Sequence, residues 1–217
     1  MLIQYLGVSC FKISTKNGNE EVTIVTDPFS AEIGKLPRNL EADILTISRP
    51  KHDHHNNAAA AKGEKTFVID IPGEFEVRGV PVYGIPNSHE LKEDPDYHKN
   101  TLYHFVIEDM NIVHLGGTRM PLTDEQIGEL GEVDILLVPV GGGDVLSPDK
   151  AADLVSQLEP RVVIPMHYKD AGLNLKAEGV EKFVKASGLK AENVDKLKLA
   201  KKDLPQDDTK LYVLARA

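Results

Sequence analysis

The chain has 217 residues, 41% hydrophobic and 27% charged, proportions that exclude collagen-like, mucin-like and disordered classes. Twenty-five Lys and Arg against 34 Asp and Glu give a formal net charge of −9, which argues against a broad, sequence-independent nucleic-acid surface. Cys10 is the one cysteine, so no intrachain disulfide can form, and there is no Trp to build a base-stacking platform.

The opening MLIQYLGVSCFKIS has no cationic stretch ahead of a long apolar core, so no secretory signal is expected. LIQYLG, CFKIST and EVTIVTD read as short strands, broken by NGN and DPF. ADILTIS, KTFVIDI, VPVYGI, TLYHFVI and NIVHLG continue the series, followed by DILLVPVGG, RVVIPMHY and a late strand LYVLA. Apolar runs such as ILLVPV are far too short to span a bilayer, so no membrane partner is expected. Helices come mostly late. NNAAAAKG predicts a short one, LTDEQIGELG has a Thr cap and a Gly stop, and GVEKFVKASG is amphipathic. SPDKAADLVSQLEP carries Ser at its cap, Pro at the next position and Pro beyond its end. Strands mixed with helices predict an α/β or α+β layered fold, and no segment is long enough to link two domains, so residues 1–217 are expected to form one. The polar stretch NSHELKEDPDYHKN at 87–100 reads as a loop over a site. EADILTISRP at 41–50 and EVDILLVPVG at 132–141 suggest either two pseudo-symmetric halves or merely two common buried strands.

The chemistry concentrates in histidines. In KHDHHNN, His52, His54 and His55 crowd with Asp53 directly after an apolar strand, and imidazoles with a carboxylate suit zinc and related divalent ions. The same residues also fit a solvated loop. His167 ends RVVIP, His89 ends VPVYGI and His114 lies in NIVHLGG. Each alone reads as a hydrogen-bonded core histidine. Together they repeat one pattern, apolar strand then histidine then turn, which would gather imidazoles on one sheet edge. Asp27, in TDPF, is either a turn residue or an orienting partner for a loop histidine. Cys10 reads as a buried small residue, and the Gly141-Gly142-Gly143 run lacks phosphate-loop spacing.

LG-x-S-C-F, TDPF, the His-rich loop after ILTIS, HLGG, VDILLVPVGGG and IPMHY, in that order, resemble the metallo-β-lactamase fold superfamily. PGEFEVRGV and QLEPRVVIPMHYK are most similar to its small metal-dependent hydrolases of the ascorbate-lactonase-like branch, over about residues 2 to 205. The resemblance implies an αββα sandwich with the site at one edge of two sheets. It also implies a His-x-His-x-Asp-His loop, a lone His at His89, a bridging Asp and a final His at His167. The chain departs from that pattern. Gly117 stands where the bridging Asp would fall, and Val8 where the opening phrase usually has His. Anchored on Ser48, the loop places Arg49 and Lys51 at histidine positions and keeps Asp53 and His54. Anchored on Asn56-Asn57, it keeps His52 and His55, puts His54 for Asp and Pro50 for the first His.

The reading is thus a metal-dependent hydrolase with a reduced, at most single-ion site acting on a small ester, lactone, amide or phosphodiester. The candidate ligands are His52, His54, His55, His89 and His167, and the catalytic candidates Asp53 and His54. Zinc, manganese or iron would be held with weak or partial occupancy, or not at all. The rival reading is a metal-free binding or assembly module, and a nuclease is the third, which the acidic charge opposes. A cytoplasmic location and self-association through an apolar surface or sheet edge are also expected.

Overall fold

A computed structural model describes residues 1–87 and 100–217. The first three strands, β1 (Leu2–Gly7), β2 (Cys10–Asn17) and β3 (Glu20–Thr26), form an antiparallel meander. β4 (Ala42–Thr46) and β5 (Lys62–Ile69) then add in parallel. The second sheet repeats this scheme. β6 (Gly73–Val77), β7 (Val80–Asn87), β8 (Asn100–Ile107) and β9 (Met110–His114) run antiparallel. β10 (Ile135–Pro139) and β11 (Val162–Met166) follow in parallel, and β14 (Lys210–Leu214) and β12 (Ala191–Val194) complete that edge. β13 (Leu197–Lys198) crosses back to pair with β1, giving sheets of six and eight strands among the described residues.

The suspected repeat is therefore real as topology. β1 to β5 and β7 to β11 each run antiparallel, antiparallel, parallel, parallel in sequence order. The match extends to single bonds: the Asp27 amide donates to the Thr46 carbonyl as the Leu115 amide donates to that of Leu137, both 2.9–3.1 Å.

Burial explains the strand compositions. β10 (ILLVP) and β11 (VVIPM) are buried at every residue, as parallel strands covered on both faces must be. In the first sheet Ile24 and Ile44 face the second sheet, while Val25 and Leu45 join Leu6, Val8, Phe29 and Leu40 in a separate outer cluster. Three helices follow in the second half: α1 (Asp124–Leu130), α2 (Pro148–Leu158) and α3 (Val180–Ser187). α1 starts with a full capping box, Thr123 with Gln126, and α2 with Ser147 followed by Pro148. α2 sends Ala151, Leu154, Val155 and Leu158 into the main core beside Phe183 of α3. No helix among the described residues is long and apolar enough to cross a membrane.

The layered α/β expectation holds, with two corrections. NNAAAAKG forms only a single 3₁₀ turn, Ala58–Ala60, because β5 already begins at Lys62 and the intervening chain is too short for a nucleated α-helix. GEFEV, AENV and LK are strands that were not expected, and their polar residues are tolerated because these segments lie at sheet edges.

The carboxyl ends of β3, β4, β9, β10 and β11 lie along one rim, where ligands of open α/β sheets characteristically bind. Tyr103 of β8, fully buried, ties the sheets together beneath it. Its hydroxyl lies 2.9 Å from both the Ile47 and the Ile69 carbonyls, at the ends of β4 and β5. Tyr103→Phe leaves the ring packing intact and removes the donor. It should lower stability by about 1–3 kcal/mol in chemical denaturation; an unchanged midpoint would show that the hydroxyl does not hold these strand ends.

Candidate metal site

The loop after β4 turns back on itself through backbone bonds from the His52 amide to the Arg49 carbonyl and from the His55 amide to the His52 carbonyl, 3.0 and 2.9 Å. This local winding is what packs three histidines into four residues on one side. The ligand-capable nitrogens of His52, His54 and His55 all lie within 4.8 Å of one another. His167, from the end of β11, closes on the same group. Its ring centre lies 5.2 Å from that of His54 and 5.5 Å from that of His55. The expected convergence of the 49–57 loop with His167 is thus present; His89 lies outside the described residues.

Asp27 is the orienting group. It sits fully buried just past β3, in the left-handed region with φ 38°. It accepts the Ser48 amide on Oδ1 and the Ser48 hydroxyl on Oδ2, both at 2.6 Å. His55 Nδ1 lies 2.9 Å from Oδ2 and donates to it, which leaves the Nε2 lone pair exposed toward the other imidazoles. Burial pushes the Asp27 carboxyl up to about 6, opposed by His114 and by the bonds from Ser48, so it is mostly ionised at neutral pH. His55 is driven well below the usual imidazole range, first by burial and then by the Arg49 guanidinium. The same two causes bring His52 down to about 4, and burial followed by the neighbouring imidazoles lowers His167. Burial lowers His54 as well, so all four are neutral, the form that donates a lone pair to a cation.

His167 is held from the β1–β2 turn. Val8 and His167 both adopt left-handed backbone, φ 55° and 53°, and the His167 amide donates to the Val8 carbonyl at 2.6 Å. Ser9 Oγ lies 3.1 Å from His167 Nδ1, fixing the ring. Sequence reasoning missed Ser9; its one signal is its place in the opening LG-x-S phrase. His114, by contrast, is the satisfied core histidine of its alternative reading. Its Nε2 donates to the Ser9 carbonyl at 2.8 Å and its Nδ1 accepts the Gly116 amide at 3.2 Å. Asp53 is exposed and does not belong to the imidazole group, while its carbonyl accepts the Ser30 amide. Cys10 is buried in the outer cluster, and burial raises its thiol well above the usual value, so it is no nucleophile. A Cβ at Gly141 would collide with the His167 carbonyl oxygen, so that glycine serves close packing beside the site.

The donors fit a divalent ion. His55 Nε2 and His54 Nδ1 are buried with no hydrogen-bond partner among the described residues, an arrangement that costs free energy unless a cation engages them. The loop residues that converge, His52, His54 and His55, are those of the alignment anchored on Asn56-Asn57. Arg49, however, also points inward and is only 5% exposed, whereas Lys51 is exposed. Arg49 lies across Gly117. A Cβ there would overlap its Cδ and come within 3.0 Å of His55 Nε2. Gly117 has no positive φ, so packing and not backbone conformation excludes a side chain.

Residues 2–167 match the family described as the beta-lactamase superfamily domain. A UPF0173 metal-dependent hydrolase of Nanoarchaeum equitans is 30% identical, over 90% of this chain and the whole of that protein. Another from Thermococcus onnurineus is 31% identical over 88% of this chain and 93% of its own. A crystal structure from Thermotoga maritima, described as a candidate Zn-dependent hydrolase of the metallo-beta-lactamase superfamily, superposes with a TM-score of 0.78. It is 34% identical and covers 98% of this chain and 97% of its own.

Two outcomes follow from this geometry. Asp27→Asn keeps the size and tolerates the left-handed backbone but replaces the acceptor that aims His55. Zinc affinity, titrated against a chromophoric chelator, should fall about 10–100-fold; an unaltered affinity would remove Asp27 from the site. Gly117→Asp alone should lower thermal stability, with an overpacking cost of about 1–3 kcal/mol, and bind no more zinc than the parent. Adding Arg49→Ala should relieve the overlap and raise zinc uptake; a gain with Gly117→Asp alone would refute the obstruction.

Proposed function

The chain belongs to the metallo-β-lactamase superfamily, through its beta-lactamase superfamily domain, and on that premise we propose a metal-dependent hydrolase that works with one divalent ion. The ion would be held by His52, His54 and His55, with His167 beside them. One observation carries this reading: three neutral imidazoles converge, and two of their nitrogens are buried without other partners among the described residues. Imidazole donors suit zinc, manganese or iron, and zinc takes three such ligands with one position left for water. When bound, such an ion lowers the pKa of water and polarises an acyl or phosphoryl oxygen.

The chain's own residues supply the rest. Asp27 fixes the tautomer and direction of His55, and Ser9 does the same for His167. Where His167 and not His54 completes the ion's ligands, His54, whose Nδ1 has no other described partner, would instead exchange a proton with a water or leaving group. The substrate would be a small ester, lactone, amide or phosphodiester. No carboxylate reaches the site from Gly117, which is why a single ion is proposed and why its occupancy would be partial. Arg49 also favours a second reading, a metal-free binding module, since a buried guanidinium opposes a nearby dication.

Elemental analysis of protein purified without added metal separates the two. The proposed enzyme should carry about one ion or less per chain and regain it after stripping. Reloading should raise the melting temperature, with about 2.7 kcal/mol gained at a hundredfold excess over Kd. His55→Ala should abolish that gain. Two tightly held ions would refute the single-ion site, and no uptake at all would establish the metal-free module.

A further inference from the structure

The two sheets end differently on their two sides. On one side the edge strands are β13 and β12, two and four residues long. On the other they are β5 and β6, eight and five residues long and joined by residues 70–72. Each of these two edges carries a row of backbone donors and acceptors that no strand among the described residues takes up. The large hydrophobic side chains left exposed among the described residues gather on the same side. Phe67 lies on β5 at 46% exposure, Ile71 on the link at 59%, and Tyr83 on β7, where it pairs with Glu74 of β6. Single apolar residues are ordinary on a surface, but their concentration at one edge marks an interaction site. The patch is built, not loose. Phe67 packs on Phe75 of β6 with ring centres 6.2 Å apart. A Cβ at Gly84 would come within 3.1 Å of the Ile71 carbonyl oxygen, so β7 holds the link closely. The charges divide between the two strands. β5 exposes Lys62 and Lys65 against one carboxylate, Glu64, while β6 exposes Glu74 and Glu76 and no cation.

We propose that this face is the interface of a homodimer, with the two-fold axis passing between β5 and β6 so that β5 of each protomer meets β6 of the other. A two-fold contact sets one patch against itself, so the patch must be its own complement. A patch with a cationic half and an anionic half meets that requirement. Lys62 and Lys65 then face Glu74 and Glu76 of the partner subunit, while Phe67 and Ile71 leave water near the axis. β6 against β6 would set glutamate against glutamate, and β5 against β5 would leave Glu74 and Glu76 unmatched. Charges that served only to keep the edges from pairing would need no such division between the strands. The overall charge of −9 opposes the approach of two copies, so the attraction has to be local. Such a dimer needs neither a metal nor a substrate and is independent of the hydrolase reading.

Analytical ultracentrifugation of the full chain at micromolar concentration tests this. Wild type should sediment as a dimer. Lys62→Glu with Lys65→Glu, and separately Glu74→Lys with Glu76→Lys, should each raise the dimer dissociation constant about tenfold or more. Net charge alone would drive these two double variants in opposite directions, since one becomes more acidic and the other less. Mixed together, they should form a dimer with one chain of each, because both strand contacts of that pair again join opposite charges. Ile71→Asp, on the exposed link, should also weaken association about tenfold or more, by placing a carboxylate at the apolar centre. A wild-type monomer overturns the proposal and leaves the edge to a different protein. A dimer that survives either charge reversal, or a mixture that fails to pair, overturns it as well. Should a double variant not fold, an undiminished dimer of Ile71→Asp overturns it in the same way.

Discussion

The Asp27 carboxylate is the interaction on which the rim depends. A buried anion must be matched by donors, and here both oxygens are taken: one by the Ser48 amide, the other by the Ser48 hydroxyl and His55 Nδ1. Asp27 lies at the end of β3, Ser48 just past the end of β4, and His55 seven residues further on. One carboxylate therefore fixes where two parallel strands stop and how the histidine loop leaves them. Its own backbone is left-handed, a conformation that costs about 1–2 kcal/mol for a residue with a Cβ. The bonds it collects offset that cost.

The second sheet makes its contribution by a different device. His167 is fixed from behind by the β1–β2 turn, through the Val8 carbonyl and the Ser9 hydroxyl. Ser9 also accepts the His114 ring on its carbonyl, so one buried turn of the first sheet orders two strand ends of the second. The imidazole group is thus assembled across the sandwich, with three members from one sheet and one from the other. Geometry of this kind does not survive shear between the layers, and Tyr103, bonded to Ile47 and Ile69, lies where that shear would occur.

Much of this was legible in the sequence, for definable reasons. Strands such as ILLVP and VVIPM announce themselves because parallel strands buried on both faces must be apolar throughout. The Ser147-Pro148 start of α2 is a local signal and was readable as one. AENV and LK were not, since their pairing with β14 and β1 is decided by partners far away in the chain. The same division holds at the site. Three histidines in four residues mark a centre, and the apolar strand before His167 marks another member. Two alignments of the loop stood open because each matched part of a linear pattern. The fold turns both sets inward, the histidines through the loop's own backbone bonds and Arg49 across Gly117, a contact between loops of different sheets that no local pattern encodes. Ser9 escaped for the same reason: its role exists only once His167 arrives 158 residues later.

The return of the chain to its beginning has a further consequence. β1 gains its outer neighbour from Leu197–Lys198, and Tyr5 bridges to Arg216, so the first strand is bordered by residues far later in the sequence. On the ribosome, the six-stranded sheet stays open along β1 until Leu197–Lys198 have emerged. At about 5–20 residues per second, that interval runs to roughly ten seconds or more. During it the nascent chain presents an unpaired strand edge, LIQYLG, with a mostly apolar face. Such an edge invites pairing with other chains. The late polar strands that close the fold are therefore also what ends its exposure to misassociation.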